Sequence, residues 1–515
     1  MQAVHRFLAI LLADLRERTR SLRFWIVLAG VMVGSWACFP PPSAHYLTVS
    51  LVDGQRGAYS SAWIGMVLGM EFCTLLSLIG FYLVRGTLAR DIDTRVWQLL
   101  VATPMTRGAY LLAKWASHMV IFGIIISVGL SVGLVAQWVR AEDTAFNLFE
   151  LVKPVLVLSL PGLAITSMFA VWFDLVPWLR RTIGNVLFFI VWVTLTSTSL
   201  AQLDAPHANE VWTSDPNGMT VVARDFQRIR EQQTGKPQEK GFSVGNQVID
   251  HPPILFEWKA WHVRPMDALG RLLWLLGAMA GVLLAAPFLD WAAARGTAAA
   301  AKNVAGAGLR LAWLDKAMAP FARGLFGTLV IAELRLVLRQ RRYGWWLLAL
   351  VAWGVQAFSA EKGMVMAMML AWLLPLDVFA RGVLRERDTG TGGLMFTAAG
   401  ITWRLLATRF AVAAILAVGL ALPGMLRLLA SHPEGALAAV AIAASISVWG
   451  LAVGAICRNP RPFELLLLGT VYVGIQGADI FDMSRDPATT ALWHSLFLLP
   501  AAALLFWAWP RLARR

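Results

Sequence analysis

A short segment between two long apolar runs carries the residues whose types and spacing best suit a specific interaction. It reads RDIDTRVWQLLVATPMTR, from Arg90 to Arg107, and combines carboxylates, leucines and a Thr-Pro pair within about five helical turns. Such a helix buries its leucines, keeps its charges in water and ends at Pro104, which favours docking to another protein over catalysis. The residues expected to be buried are Val96, Leu99, Leu100 and Leu111, and those expected in water are Asp91, Asp93, Arg95 and Arg107.

Motifs for covalent chemistry are absent from the sequence. No G-x-x-x-x-G-K-[ST] phosphate-binding loop occurs, and no H-E-x-x-H zinc motif or protein-kinase set occurs. The spacing of His207, His251 and His262 matches no metal-ligand pattern. The three cysteines lie in or beside apolar runs, which excludes a disulfide scaffold. We therefore expect no enzyme activity, no catalytic residue, no metal and no cofactor in this chain.

The composition indicates the class of protein that positions these residues. Of the 515 residues, 58% are hydrophobic and 15% are charged, and the mean hydropathy is +0.62. A soluble protein would lack the polar residues to cover its surface. Apolar runs near the roughly 20 residues that cross a bilayer recur along the chain. This pattern predicts an all-α polytopic membrane protein.

About twelve transmembrane helices are predicted. If the N-terminus is cytoplasmic, Lys and Arg concentrate in the cytoplasmic stretches, so the net charge of +14 is an orientation signal and not a nucleic-acid surface. An even number of spans then returns the C-terminus to the cytoplasm. The predicted spans are 24–39, 62–84, 116–139, 153–175, 183–203, 267–291, 344–359, 363–384, 410–430, 435–457, 463–481 and 491–509.

The sequence contains an internal duplication. An amphipathic stretch with Asp14 and Arg18 on its polar face precedes the first span, and another amphipathic stretch precedes the seventh. Each should lie in the membrane interface. Each half then has six spans, an even number, so the two halves form a parallel repeat. The matched positions are Ala13-Asp14-Leu15-Arg16 with Ala332-Glu333-Leu334-Arg335, Arg85-Gly86 with Arg381-Gly382, Asp93-Thr94 with Asp388-Thr389, and Lys114-Trp115 with Arg409-Phe410.

The duplication defines the expected domains. Residues 1–291 form the first transmembrane half, with an interfacial helix over 1–23 and an outer loop over 204–266. Residues 292–325 form an Ala/Gly-rich cytoplasmic linker, and residues 326–515 form the second half. Within the outer loop, MTVVARDFQRIREQQTGK predicts a short helix, and the aromatic stretch that follows is expected to return along the outer membrane surface.

These features resemble the permease subunits of the type-2 ABC exporter class. That family has a motif close to E-x-x-G-T-L-E-x-L-L-x-T-P after its second span, followed by a Lys that opens the third. The second copy here has Ala398-Ala399 in place of Thr-Pro. The matching residues are Asp91, Asp93, Thr94, Leu99, Leu100, Thr103, Pro104 and Lys114 in the first half, and Glu386, Asp388, Thr389, Gly390, Thr391 and Arg409 in the second.

The resemblance implies an ATP-driven exporter of a lipid, peptide or amphipathic compound in the bacterial cytoplasmic (inner) membrane. In that family such segments couple to separate cytoplasmic ABC ATPase subunits, here two, which bind ATP and Mg. The other expected partners are membrane lipid and an unknown substrate. Three alternatives stand: a segment that only rests on lipid, a secondary transporter with parallel six-helix repeats, and an ABC-type membrane module without transport.

Glu71 is the acidic residue nearest the middle of a predicted span. Polar groups at this depth are costly and usually line water or are buried in protein. Glu71 is therefore either a contact on the transport pathway or a hydrogen-bonded group that sets helix register. A secondary transporter would carry several paired ionisable groups in its spans, whereas mid-span charge here is almost confined to Glu71.

Overall fold

A computed structural model gives the fold of most of the chain, which forms two compact units, Met1–Ala301 and Lys302–Arg515. The division between them falls in the Ala/Gly-rich stretch 292–325, most of which lies outside the described residues. The residues described are 2–41, 46–51, 54–94, 96, 105–180, 182–201, 215–234, 242–249, 251–292, 319–322, 324–341, 343–396, 400–475 and 479–513.

The first unit is mainly a bundle of apolar helices. The second predicted span is one continuous helical stretch, within which Phe72–Leu76 form a π-helical turn. Asn147 caps the helix that follows it, accepting hydrogen bonds from the N–H groups of Phe149 and Glu150. The helices are α1 (Gln2–Thr19), α2 (Leu22–Ala37), α3 (Ser61–Glu71), α4 (Ser77–Val84), α5 (Thr87–Asp93), α6 (Arg107–Arg140), α7 (Leu148–Leu175), α8 (Thr182–Ala201), α9 (Met219–Thr234) and α10 (Pro265–Leu284).

The first unit also contains a four-stranded sheet, which the sequence did not predict. Strands β1 (Tyr46–Leu51) and β2 (Gln55–Gly57) precede the second predicted span, and β3 (Phe242–Val248) and β4 (Ile254–Phe256) belong to the loop 204–266. The strand order is β3-β1-β2-β4, with β1 antiparallel to both neighbours and β2 parallel to β4. The fold is therefore predominantly α rather than entirely α.

Aromatic side chains pack residues of the loop 204–266 against helix α3. The Phe226 ring of α9 lies 5.1 Å from the Trp63 ring of α3 and 4.9 Å from the ring of Trp258, and all three are buried. Helix α9 is the helix predicted in the loop. In the aromatic stretch after it, Trp258 and Trp261 are 1% and 2% exposed and therefore pack inside the protein, and the expected course of this stretch along the outer membrane surface stays a prediction. Large rings stabilise the fold most when buried against one another.

The second unit is helical as well, and its described residues form no strand. Its first helix presents Val330, Leu334 and Leu338 to a buried cluster, as its amphipathic pattern predicts. The helices are α11 (Gly324–Arg339), α12 (Tyr343–Phe358), α13 (Glu361–Ala371), α14 (Leu376–Arg381), α15 (Arg385–Asp388), α16 (Gly392–Met395), α17 (Ile401–Ser431), α18 (Pro433–Cys457), α19 (Arg461–Ile475) and α20 (Pro487–Ala513).

Long apolar helices make this an integral membrane protein. A helix lies within or across each predicted span, but not all are long enough to cross a bilayer by themselves. The predicted total of twelve spans therefore stays a prediction. Over the described residues, eight helical stretches are long and apolar enough: Ser61–Ile92, Arg107–Arg140, Leu148–Leu175, Pro265–Leu284, Glu361–Asp388, Ile401–Ser431, Pro433–Cys457 and Pro487–Leu512.

Candidate functional site

The first charge cluster joins three separate helices of the first unit. Lys114, near the start of α6, places its Nζ 2.8 Å from Asp14 Oδ1 of α1 and 2.7 Å from Asp91 Oδ2 of α5. Two hydroxyls complete it: Ser117 donates to Asp14 at 3.2 Å, and Tyr110 donates to Asp91 at 2.6 Å. Lys114 and Asp14 are 3% and 7% exposed. The cluster thus ties the amphipathic helix and the segment after the second span to α6.

The second charge cluster has the same construction in the second unit. Arg409 of α17 forms an ion pair with Glu386 of α15 and lies 4.0 Å from Glu333 Oε1 of α11. Arg385 pairs with Glu333 as well, and Arg409 also donates to the carbonyl oxygen of Gly382. Arg409 and Glu386 are both buried. Arginine suits this site because its planar guanidinium group can donate hydrogen bonds to several acceptors at once.

The two clusters occupy matched positions of the internal repeat. Each contains one acid from the amphipathic helix, one acid from the segment after the second or eighth predicted span, and one cation from the helix that follows. Charges taken out of water are costly unless they are paired, so the buried charges of each cluster depend on the opposite charges that they contact. The matched pairs are Asp14 with Glu333, Asp91 with Glu386, and Lys114 with Arg409.

A second contact holds α1 against the end of the second span. Arg18 donates to the carbonyl oxygens of Val84 at 2.9 Å and Leu83 at 3.3 Å, and to the hydroxyl of Thr87 at 3.1 Å. The last carbonyls of a helix have no partners within the helix, so a buried cation there satisfies them. Helix α1 is therefore bound both to α4 and, through Asp14, to α6.

Asp174, at the end of α7, binds the backbone at the start of α5. Its carboxylate accepts from the N–H of Gly86 at 2.8 Å and lies 3.9 Å from the guanidinium of Arg85. Gly86 has a φ of +94°, which favours glycine, whereas the matched Gly382 has an ordinary helical φ of −49°. The Arg-Gly repeat therefore matches in sequence but not in conformation.

The structure brings together two of the predicted residues of the first half. Asp91 and Lys114 are in direct contact. Asp93 is the last residue of α5, and Thr94 is exposed and donates to the carbonyl oxygen of Arg90 at 2.8 Å. The others lie outside the described residues: Leu99, Leu100, Thr103 and Pro104.

In the second half, Glu386 and Arg409 are in contact, whereas Asp388 and Thr389 are exposed and take no part in the cluster. The Thr389 hydroxyl bonds the carbonyl oxygen of Arg385 at 2.8 Å and the hydroxyl of Thr391 at 2.8 Å, which shapes the turn after α15. Beyond this turn, Leu394 of α16 is 79% exposed. The segment after the eighth predicted span, which contains α15 and α16, thus presents an apolar side chain beside polar residues.

The sequence misassigned several charged residues. Asp14 and Arg18 were expected on the polar face of a helix at the interface, and Asp91 was expected in water. This is wrong, because Asp14 and Arg18 are buried and Asp91 contacts Lys114. The match of Asp14 with Glu333 in the repeat was the signal that could have identified Asp14 as a site residue. No local signal marked Asp174.

Glu71 connects the first two predicted spans. The Cys38 thiol of the first span donates to Glu71 Oε2 at 3.4 Å, and a Cβ added at Gly34 would lie 3.2 Å from Glu71 Oε1. These contacts favour the role in helix register. The pathway role stays a prediction that Glu71→Gln would test through transport.

Comparison of the chain with protein-family models, with curated proteins and with solved structures finds no match.

Proposed function

We propose that this chain is the membrane-spanning permease subunit of an ATP-driven ABC transporter, an exporter of a lipid, peptide or amphipathic compound. The recurrence of the buried charge cluster carries the proposal. In both units, acids of the amphipathic helix and of the following segment contact a cation at the start of a membrane helix. A segment that merely rests on lipid needs no buried counter-charge, and two such segments would not both have one.

The clusters supply a stiff connection between a docking segment and the membrane helices. Removing one partner of a buried ion pair costs about 3–5 kcal/mol, so a force on the segment would move helices before it broke the contact. In this proposal, closure of two ATPase subunits displaces both segments. Lys114 and Arg409 then pass the displacement to their own helices, α6 and α17.

The proposed architecture is two parallel six-helix halves with both termini in the cytoplasm. The positive-inside distribution of Lys and Arg supports this orientation. Among the described residues, eight long apolar helices, with three shorter ones at the first, fifth and seventh predicted spans, support the count. The two ATPase subunits would bind ATP and Mg, and the membrane would be the bacterial cytoplasmic membrane.

Co-purification tests the proposal directly. The full chain, tagged at its C-terminus and extracted from its native membrane, should bring down two copies of an ABC ATPase subunit, or one copy each of two. Leu99→Ser, Leu100→Ser and Leu394→Ser should each lower the recovered ATPase several-fold. Leu255→Ser is the matched control, because Leu255 is a half-exposed leucine on strand β4.

One result would favour a secondary transporter instead. It is the absence of any ATPase subunit from the purified material, together with unchanged transport in the Leu99→Ser, Leu100→Ser and Leu394→Ser variants. Recovery of the ATPase with no substrate movement in reconstituted vesicles would point to the non-transporting module.

A further inference from the structure

In both units an arginine of the third membrane helix binds the backbone at the end of the first. Arg140, the last residue of α6, donates to the carbonyl oxygen of Phe39, just beyond α2, through Nε at 3.0 Å and Nη2 at 2.7 Å. Arg427 of α17 donates through Nη1 to the carbonyl oxygens of Gln356 and Ser359 at the end of α12, both at 2.8 Å. Both arginines are half-buried.

These contacts suit the chemistry of a helix end. The last carbonyl oxygens of a helix have no partners within the helix, and the helix dipole makes that end negative, so a cation there is stabilising. The guanidinium of Arg140 also lies 5.3 Å from the ring of Trp36, in the last turn of α2. Because the acceptors are backbone atoms, each arginine holds the helix itself and not a movable side chain.

Each third helix therefore carries two cations that bind the same neighbour. At 1.5 Å per residue, Lys114 and Arg140 are about 39 Å apart along α6, and Arg409 and Arg427 are about 27 Å apart along α17. These lengths are similar to the roughly 30 Å of membrane hydrocarbon. Lys114 and Arg409 hold the amphipathic helix before the first or seventh span, and the arginines hold the far end of that span.

Other contacts share the load differently in the two units. In the first, the Thr48 hydroxyl of β1 donates to the carbonyl oxygen of Cys38 at 2.7 Å, and the Tyr59 hydroxyl donates to that of Pro40 at 2.9 Å. The described residues of the second unit form no strand. There, the buried Gln356 of α12 bonds the backbone of α17 at 3.0 and 3.2 Å, about one turn before Arg427.

We propose that Arg140 and Arg427 are positioning residues that make the first and third membrane helices of each unit a rigid pair. A displacement that reaches Lys114 or Arg409 then arrives at the far ends of both helices together. This role rests on the proposed function. It identifies the part of each unit that moves as one body, namely the amphipathic helix, the first membrane helix and the third.

The distance between two spin labels tests the pair in the second unit. The labels replace Phe358 and Leu429, exposed residues at the far ends of α12 and α17, through an unnatural keto amino acid that leaves the native cysteines in place. In the chain alone, in lipid nanodiscs, the distance distribution should be narrow. Arg427→Met should broaden it, whereas Arg485→Met, at an exposed arginine before α20, should not.

A lysine should restore the narrow distribution. Nη1 alone makes both bonds of Arg427, so the ammonium group of Arg427→Lys can make them as well. An equally narrow distribution in Arg427→Met, or a broad one in the wild-type chain, overturns the rigid pair. The wild-type result decides even if Arg427→Met fails to fold.

Nucleotide separates transmission from mere support. With the ATPase subunits bound, ATP and Mg should leave the wild-type distance unchanged, because both far ends move together, but should change the mean distance in Arg427→Met. A wild-type distance that changes with ATP overturns the rigid pair, and an unchanged distance in Arg427→Met removes its transmitting role. If no ATPase co-purifies, broadening in Arg427→Met keeps the rigid pair and removes its role in transport.

The first unit repeats the measurement with labels at the exposed Val33 of α2 and Val135 of α6. Arg140→Met should broaden this distribution less than Arg427→Met broadens the other, because Thr48 and Tyr59 also hold this end. Unchanged width in Arg140→Met would refute the assigned role of Arg140.

Discussion

Lys114 Nζ lies 2.8 Å from Asp14 Oδ1, although the two residues are 100 positions apart in the chain. This ion pair joins the N-terminal amphipathic helix to the start of a membrane helix, and Asp91 shares the same ammonium group. The matched residues of the second unit, Arg409 and Glu333, are 4.0 Å apart. The first contact is therefore shorter than its counterpart.

Removal of the Lys114 charge should be strongly destabilising. Lys114→Met leaves the buried Asp14 and the partly buried Asp91 without their cation, and the free energy of unfolding should fall by about 3–5 kcal/mol. Thermal unfolding of the purified protein measures the loss. Lys259→Met is the control, because Lys259 is 62% exposed and its pair with Glu257 should contribute about 1 kcal/mol or less. Equal losses in the two variants would mean that the buried cluster contributes no more stability than the exposed pair of Lys259 and Glu257.

Arginine should be required at position 409. Arg409→Lys retains the charge, but a single ammonium group cannot serve Glu386 and the Gly382 carbonyl oxygen in the geometry of the guanidinium fork. We expect a loss of about 1–3 kcal/mol, the cost of leaving a buried acceptor unsatisfied. The lowered midpoint should appear in denaturation of the detergent-solubilised chain. Wild-type stability in Arg409→Lys would show that charge alone maintains the second cluster.

The two matched glycines should respond differently to alanine. Gly86→Ala forces a Cβ into the left-handed conformation at φ +94°, with a cost of about 1–2 kcal/mol. Gly382→Ala should be tolerated, because Gly382 is helical and its new Cβ would meet Leu451 at an ordinary 3.5 Å. Paired melting curves of the two variants provide the comparison. A larger loss for Gly382→Ala would contradict the conformational difference between the repeats.

Asp225 should make the first unit less stable as the pH rises. Burial raises the pKa of its carboxyl above the usual value, and the nearby Arg228 only partly opposes this. The folded chain therefore holds the Asp225 proton more tightly than the unfolded chain. The stability from this proton is present below the unfolded pKa near 3.9 and is lost as the pH rises through the folded pKa.

Asp225→Asn should accordingly raise the melting temperature at pH 7.5 and lose that advantage near pH 4. The asparagine carbonyl can still accept the hydrogen bond that Trp258 donates to Asp225 at 3.3 Å. Melting temperatures measured at both pH values give the test. A lower melting temperature for the variant at pH 7.5 would refute the assigned direction.

The sequence alone determined the class of protein and the helices at the predicted spans, whereas the arrangement of these helices as two repeats stays a prediction. Hydrophobic length and charge distribution are local properties, so a run of apolar residues indicates a membrane helix wherever it occurs. The repeat was also predicted from the sequence, because motifs can be matched without knowledge of which residues are in contact. Asp91 and Lys114 were named as site residues because their segment resembles the family motif, and the structure places them 2.7 Å apart.

Only the tertiary structure decided which charges are buried. Helical periodicity assigned Asp14 and Arg18 to a polar face, but their partners are Lys114 and the carbonyl oxygens at the end of α4, which no local pattern connects to them. The sheet escaped prediction for the same reason, since Tyr46 pairs with Val248 across some 200 residues of intervening chain. Contacts between distant segments depend on how the helices bring them together, and that is a property of the folded chain rather than of any one stretch of it.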